Sequence, residues 1–164
     1  MAGTSGSMVE RMTGAALLNI ETYEEVEHDD NATGQAAAVV AMVAAAQAIG
    51  AAGHGLFGAV GAAAAALLGW LLWAGITYLV GTKLFDGTAT WGELLRTLGF
   101  AQAPGILAVV GVLPLLGAVN YLIPLWLLVT GFIAVRQALD FGNGKTFLTI
   151  LVGWAAYSVL SVVF

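Results

Sequence analysis

The segment GTKLFDGTATWGELLRTLGFAQAPG, Gly81 to Gly105, is where the reading of this chain is decided. It is a polar interruption between two oily runs, and it contains a complete helix start. Thr90-Trp91-Gly92-Glu93 fits a capping box, with Thr as N-cap and Glu at the third helical position. The helix it opens, Trp91 to Leu98, sets Trp91, Leu94, Leu95 and Leu98 on one stripe, with Glu93 and Arg96 off the stripe at i, i+3 pairing distance. Asp86-Gly87 supplies a turn ahead of it. The segment therefore reads as a short helix lying on a membrane face with Trp91 at headgroup level, turning sharply at Gly99 into a further span. Gln102 and Pro104 mark a kinked start to that span. Proline lacks an N–H where the first turn does not need one, it drives Ala103 from helical geometry, and Gln102 is placed to satisfy freed backbone groups.

Composition makes the membrane the frame for this reading. The chain has 164 residues, is 60% hydrophobic and only 9% charged, with a mean hydropathy of +0.91. Soluble domains carry roughly 25% charge. Six of the ten acidic residues fall between Glu21 and Asp30, so the net charge of −5 is local. Five basic residues, each standing alone, make no phosphate-binding stripe, which argues against nucleic acid as a partner. With no cysteine, disulfides, thiolate chemistry and Cys-ligated metals are excluded. No cleavable signal peptide is recognised in the first 34 residues.

The fold class expected is an all-α bundle of five transmembrane helices with two short interfacial helices on the cytoplasmic side. The spans are Ala36–Ala52, Leu56–Val80, Ala101–Val119, Tyr121–Leu139 and Phe147–Phe164. Residues 1–34 form an N-terminal cytoplasmic segment, and residues 35–164 form the membrane domain. In the N-terminal segment, Met8–Ile20 has an apolar helical face, which suits either the membrane interface or the surface of the bundle. The stretch ETYEEVEHDDNATGQ follows as an acidic connector, read as a solvated loop rather than a cation site. The basic residues fix the count. With five spans and the N-terminus inside, Arg11, Lys83, Arg96, Arg136 and Lys145 all fall on the cytoplasmic side, and the C-terminus lies outside.

The residues now carry a resemblance. GTKLFDGTATWGELLRTLGFAQAP resembles the central part of prokaryotic members of the YIP family (Ypt/Rab-interacting protein domain), with Gly81, Lys83, Glu93, Leu94, Arg96, Gly99, Phe100 and Pro104 as the matching positions. RMTGAALLNIETYEEVEHDDNATGQA is similar to the family's opening, and LWLLVTGFIAVRQALDFGNGKTFLTILV to its closing spans. The resemblance implies a five-span protein of a prokaryotic plasma membrane. Eukaryotic relatives bind Rab-type GTPases, but the motif associated with that binding is absent here, so a Rab-type partner is not implied. Nor does the resemblance supply catalytic residues or a cofactor.

The residues themselves point the same way. His28 and His54 stand apart, without a Ser/His/Asp set or a metalloprotease helix, so no enzyme and no cofactor is expected. Arg136 is the one charge near a span interior; snorkelling with an i, i+4 pair to Asp140 competes with a transport role. Gly58, Gly61, Ala65 and Gly69 place small residues along the second span, for packing within the chain or for a partner interface. Trp91, Glu93, Arg96, Arg136 and Asp140 are the candidate cytoplasmic-face contacts. The function expected is that of a non-enzymatic scaffold, membrane organiser or accessory subunit, touching membrane lipid and other membrane proteins or itself. The alternative is a small-solute transporter or channel, suggested by Pro104, Pro114 and Pro124 in the spans.

Overall fold

A computed structural model describes residues 6–50, 55–112 and 119–163. His54 and Pro114 lie outside the described residues. Every described element is helical: α1 Met8–Ala16, α2 Ile20–His28, α3 Ala32–Gly50, α4 Gly55–Leu84, α5 Trp91–Ala101, a 3-10 segment Ala103–Val112, α6 Val119–Ala138 and α7 Asn143–Val163. Four stretches are long and apolar enough to cross a membrane: Ala32–Gly50, Gly55–Leu84, Trp91–Val110 and Val119–Ala138. The thirty residues of α4 span about 45 Å, more than a hydrocarbon core of about 30 Å, so this helix tilts or projects beyond the membrane.

The third crossing departs from the sequence reading. The expected surface helix Trp91–Leu98 is the first half of an apolar stretch that continues to Val110. Part of its stripe packs inside the bundle. Leu94 and Leu98 are buried, with Arg96, Thr97, Gly99, Phe100 and Ala101. The reason is that α3, α4 and α6 offer the apolar face a dry surface, and the helix leans into the bundle centre. Gly99 makes this possible. A Cβ there would lie 2.8 Å from that of Ala36 on α3 and 3.3 Å from the Ala36 backbone. The core built around α5 joins Ala36, Val39, Leu94, Phe100, Val135 and Leu139.

Past Ala101 the α-helix gives way. Gln102 is the C-cap, and the chain goes on as a 3-10 segment from Ala103 to Val112, with Gly105 N–H donating to the Gln102 carbonyl at 2.8 Å. Pro104 lies in this segment, so the irregular start read from Gln102 and Pro104 takes the form of a change of helix type. Such a long 3-10 run is unusual, and Pro104 cannot donate the hydrogen bond that an α-helix would require of it.

The acidic connector is also corrected. Ile20–His28 is a helix, with the Asn19 side chain accepting from Glu21 N–H at 2.9 Å, and its Tyr23, Val26 and Glu27 are buried. The expected continuous helix Met8–Ile20 therefore ends at Ala16. Two helices replace one because the chain between them closes a helix cap. Asn19 N–H donates to the Gly14 carbonyl, Leu18 N–H donates to the Ala15 carbonyl, and Leu18 adopts φ 63°. Sequence periodicity did not show this break, since a Leu occupies the position where Gly is usual.

Candidate interaction surface

The charged residues of the chain gather at one end of the bundle, and two arginines organise them. α1 opens with a capping box in which Ser7 and Glu10 serve each other's backbone N–H groups. α1 and α2 then form a tight hairpin: a Cβ on Gly14 would collide with Thr22 Oγ1, and Tyr23 donates its hydroxyl to the Ala15 carbonyl at 3.0 Å. Arg11 closes the hairpin's base. It is 1% exposed, and its guanidinium donates to Glu25 Oε1 (2.7 Å from Nη2), Asp29 Oδ2 (2.6 Å) and Gln35 Oε1 on α3 (2.9 Å). Burial works against its charge, but the bonds to Glu25 and Asp29 outweigh that and raise its pKa.

Arg96 ties the hairpin to the bundle. It projects from α5, is 4% exposed, and donates from Nε to the Val26 carbonyl at 2.9 Å and from Nη2 to the Glu27 carbonyl. These carbonyls belong to the last turn of α2, which has no intrahelical donors left. A cation at that end also complements the helix dipole. Nη1 completes the set with Asp30 Oδ1 at 3.0 Å. The expected pairing of Glu93 with Arg96 does not form. Glu93 is held by its own cap, accepting from Thr90 N–H at 2.8 Å, while Thr90 Oγ1 accepts from Glu93 N–H. That cap is the one the sequence specified.

Glu27 is the odd member of this end. It is 8% exposed, and its carboxyl makes no hydrogen bond to a described residue. Burial pushes its pKa from 4.5 up to about 7; His28 opposes the rise, and Asp140, Glu93 and Glu24 add to it. The folded chain therefore holds a proton that the unfolded chain releases between pH 4.5 and about 7. Stability falls as pH rises through that window and levels off above it. Glu27→Gln, which mimics the neutral acid, is expected to be more stable than the parent at pH 8, by about 1–3 kcal/mol, and to lose the slope between pH 5 and 7. Thermal unfolding in detergent across that pH range checks both.

The other candidate residues are placed as follows. Trp91 packs edge-on against Tyr78 of α4, ring centroids 6.3 Å apart, and sits over Gly75. Arg136 is half-buried and forms no ion pair with a described residue. Its expected partner Asp140 lies past the end of α6 at φ 53°, where Phe141 N–H reaches back to the Arg136 carbonyl; this cap turns the carboxylate to Thr88, whose Oγ1 donates to it at 2.7 Å. Gln137 beside it donates to Glu24 of α2 at 3.2 Å. The candidate small residues in the first half of α4 pack little inside the chain. Gly61 and Ala65 are exposed, Gly58 and Gly69 half-buried, and a Cβ on Gly61 or Gly69 would meet nothing within 4 Å.

One stretch of this α4 face borders a cleft. α4 and α6 barely touch, and between them a cavity of about 390 Å³ is lined by Gly69, Trp70 and Trp73 of α4, Gln102, Leu127 and Gly131, with Gln47 of α3. Trp70 is braced from behind by donating its Nε1–H to the Leu95 carbonyl at 3.2 Å. A neighbouring cavity of about 450 Å³ shares Trp73, Leu127 and Gly131 and is closed by Phe147, Ile150 and Trp154 of α7. Gln47 and Gln102 are the amides in an otherwise apolar lining; Arg136 does not line it. Gln102 was legible as a polar residue at the start of a broken span, whereas its sharing a cavity with Gln47 was not, because that depends on how α3 and α5 pack. A family model described as the Yip1 domain matches residues 21–164. No curated protein and no solved structure matches the chain.

Proposed function

Because this multi-pass membrane protein belongs to the Yip1 domain family, we propose that it is a non-enzymatic member acting through protein and membrane contacts, as a scaffold or accessory subunit of a membrane complex. Five spans, an inside N-terminus and a prokaryotic plasma membrane are part of this reading: α7 is the fifth, and all five basic residues then lie on the cytoplasmic side. The observation that carries it is the uncovered face of α4. Gly61, Ala65 and Gly69 give a surface on which another helix backbone approaches closely, and no described residue comes within 4 Å of a Cβ at Gly61 or Gly69. Meanwhile Arg11 and Arg96 fix the cytoplasmic end as one rigid platform. Membrane lipid and other membrane proteins, or a second copy, are the partners; no Rab-type GTPase is included.

Purification in a gentle detergent with native mass measurement tests this. The expected result is a stoichiometric complex or defined oligomer in which a cysteine placed at Gly61 cross-links to a neighbouring chain. A bare monomer overturns it. A second reading, small-solute transport, is favoured by Gln47 and Gln102 facing one cavity, and a bare monomer whose solute uptake responds to Gln102→Leu selects it.

A further inference from the structure

We propose that the turn joining α1 and α2 is a wedge inserted among the acyl chains of the same leaflet that holds the charged end of the bundle. The turn is mostly apolar and bare: Leu17 is 70% exposed, Leu18 37% and Ile20 39%, while the exposed Asn19 is engaged in capping α2 and Glu21 follows on the outer flank. Leu18 holds φ 63°, a left-handed conformation that costs a bulky L-residue and that Gly adopts freely. The chain thus places a large apolar side chain where a small one closes the turn more easily.

Depth identifies what covers it. The base of the hairpin lies at headgroup level, where Arg11 meets Asp29 and Gln35 and where Glu24 meets Gln137 beside Arg136. The tip lies further in. Trp126 of α6 donates its Nε1–H to the Ala16 carbonyl at 2.8 Å. Leu17 and Ala16 border a groove with Ala103, Pro104 and Leu107. Leu17 follows Arg11 by six residues, about 9 Å of helix rise along α1. An interfacial segment buries its apolar face about 5–10 Å into the headgroup and acyl boundary, so this depth suits one. The apolar surface is also continuous with the lipid-facing side of the spans: Leu107 is 39% exposed, and Leu122, one turn from Trp126 on the same face, is 63% exposed. The exposed flank of the hairpin carries Glu21, Glu24 and Glu25, so its attraction to the bilayer is apolar rather than electrostatic. Unlike a helix lying flat on the surface, an upright hairpin pinned by Arg11 and Arg96 keeps its tip at a fixed depth beside the bundle and adds area to one leaflet only.

The chain has no cysteine, so single-cysteine variants report depth directly. Leu17→Cys, His28→Cys and Leu122→Cys would each be labelled with an environment-sensitive fluorophore and reconstituted in phosphatidylcholine vesicles. All three positions are exposed, so labelling leaves the core intact. The expected result is that nitroxide lipids labelled near the glycerol backbone quench the Leu17 probe several-fold more than the His28 probe, while aqueous iodide does the reverse, with no change at high salt. Leu122 supplies the reference for a lipid-facing span. Iodide access at Leu17 equal to that at His28 places the tip in water and overturns the proposal. A Leu17 probe shielded from both quenchers has protein over it and also overturns it. The readout uses no partner, so its failure leaves the partner reading untouched.

Discussion

Arg96→Met detaches the N-terminal hairpin from the bundle. The variant is expected to lose about 3–5 kcal/mol of hairpin docking, because the change removes the donor and leaves the Val26 and Glu27 carbonyls buried without a partner. Methionine keeps most of the volume, so the loss reports the missing donors rather than a cavity. Limited proteolysis checks it: cleavage in residues 28–31, resisted by the parent, becomes rapid in the variant while the spans stay intact. Arg96→Lys is expected to recover only part of the loss. An ammonium is a point donor and does not reproduce the fork that reaches two carbonyls and Asp30 together. A variant as resistant as the parent would mean that apolar contacts of Tyr23 and Val26 hold the hairpin without the arginine.

The second large effect is expected at Arg11, and its size depends on pH. Arg11→Met costs about 2–3 kcal/mol near neutral pH, less than Arg96→Met, since the abandoned Glu25 and Asp29 side chains are 42% and 20% exposed and regain water. Glu25 is held below the ordinary carboxylate range first by the Gly6 N–H and then, against burial, by Arg11; Asp29 is held there by Arg11. Both folded pKa values are depressed, so the stabilisation is present above the ordinary values of 4.5 and 3.8 and is lost as pH falls through the folded ones. The gap between parent and variant is therefore expected to narrow below about pH 4. Unfolding midpoints of the two proteins between pH 3 and 8 measure it; a gap independent of pH would show that Arg11 acts through packing alone. Glu27 acts with the opposite sign over a higher window, which leaves the hairpin most stable in mildly acidic solution.

Both effects centre on side chains whose partners are far away in the sequence, and this marks the limit of what the sequence reveals. The α5 capping box was legible because all its atoms come from Thr90 to Glu93 and the geometry of a helix start is local. Arg96 was singled out in the sequence, but its partners were not legible. At i, i+3 it has Glu93 as its neighbour, yet that carboxylate is engaged by the cap, and Asp30 and two carbonyls 69 and 70 residues away take its place. Arg136 and Asp140 fail as a pair for a related reason, since the helix ends between them and the cap swings Asp140 toward Thr88.

The sequence by itself determined that this chain is a helical protein of the membrane, where its apolar helices other than the third lie to within a few residues, and that a capped helix begins at Trp91. Each of these follows from composition, from runs of apolar residues or from hydrogen bonds between near neighbours. The tertiary structure alone decided three further things: that α5 turns inward against the bundle, that the acidic stretch folds as α2 against it, and that Gly61, Ala65 and Gly69 of α4 stay unpacked beside a cleft holding two amides. An amphipathic stripe states only that a face will be buried. Whether lipid, headgroups or another helix buries it depends on which surface lies nearest once Gly99 lets α5 close on α3, and no local pattern encodes that distance.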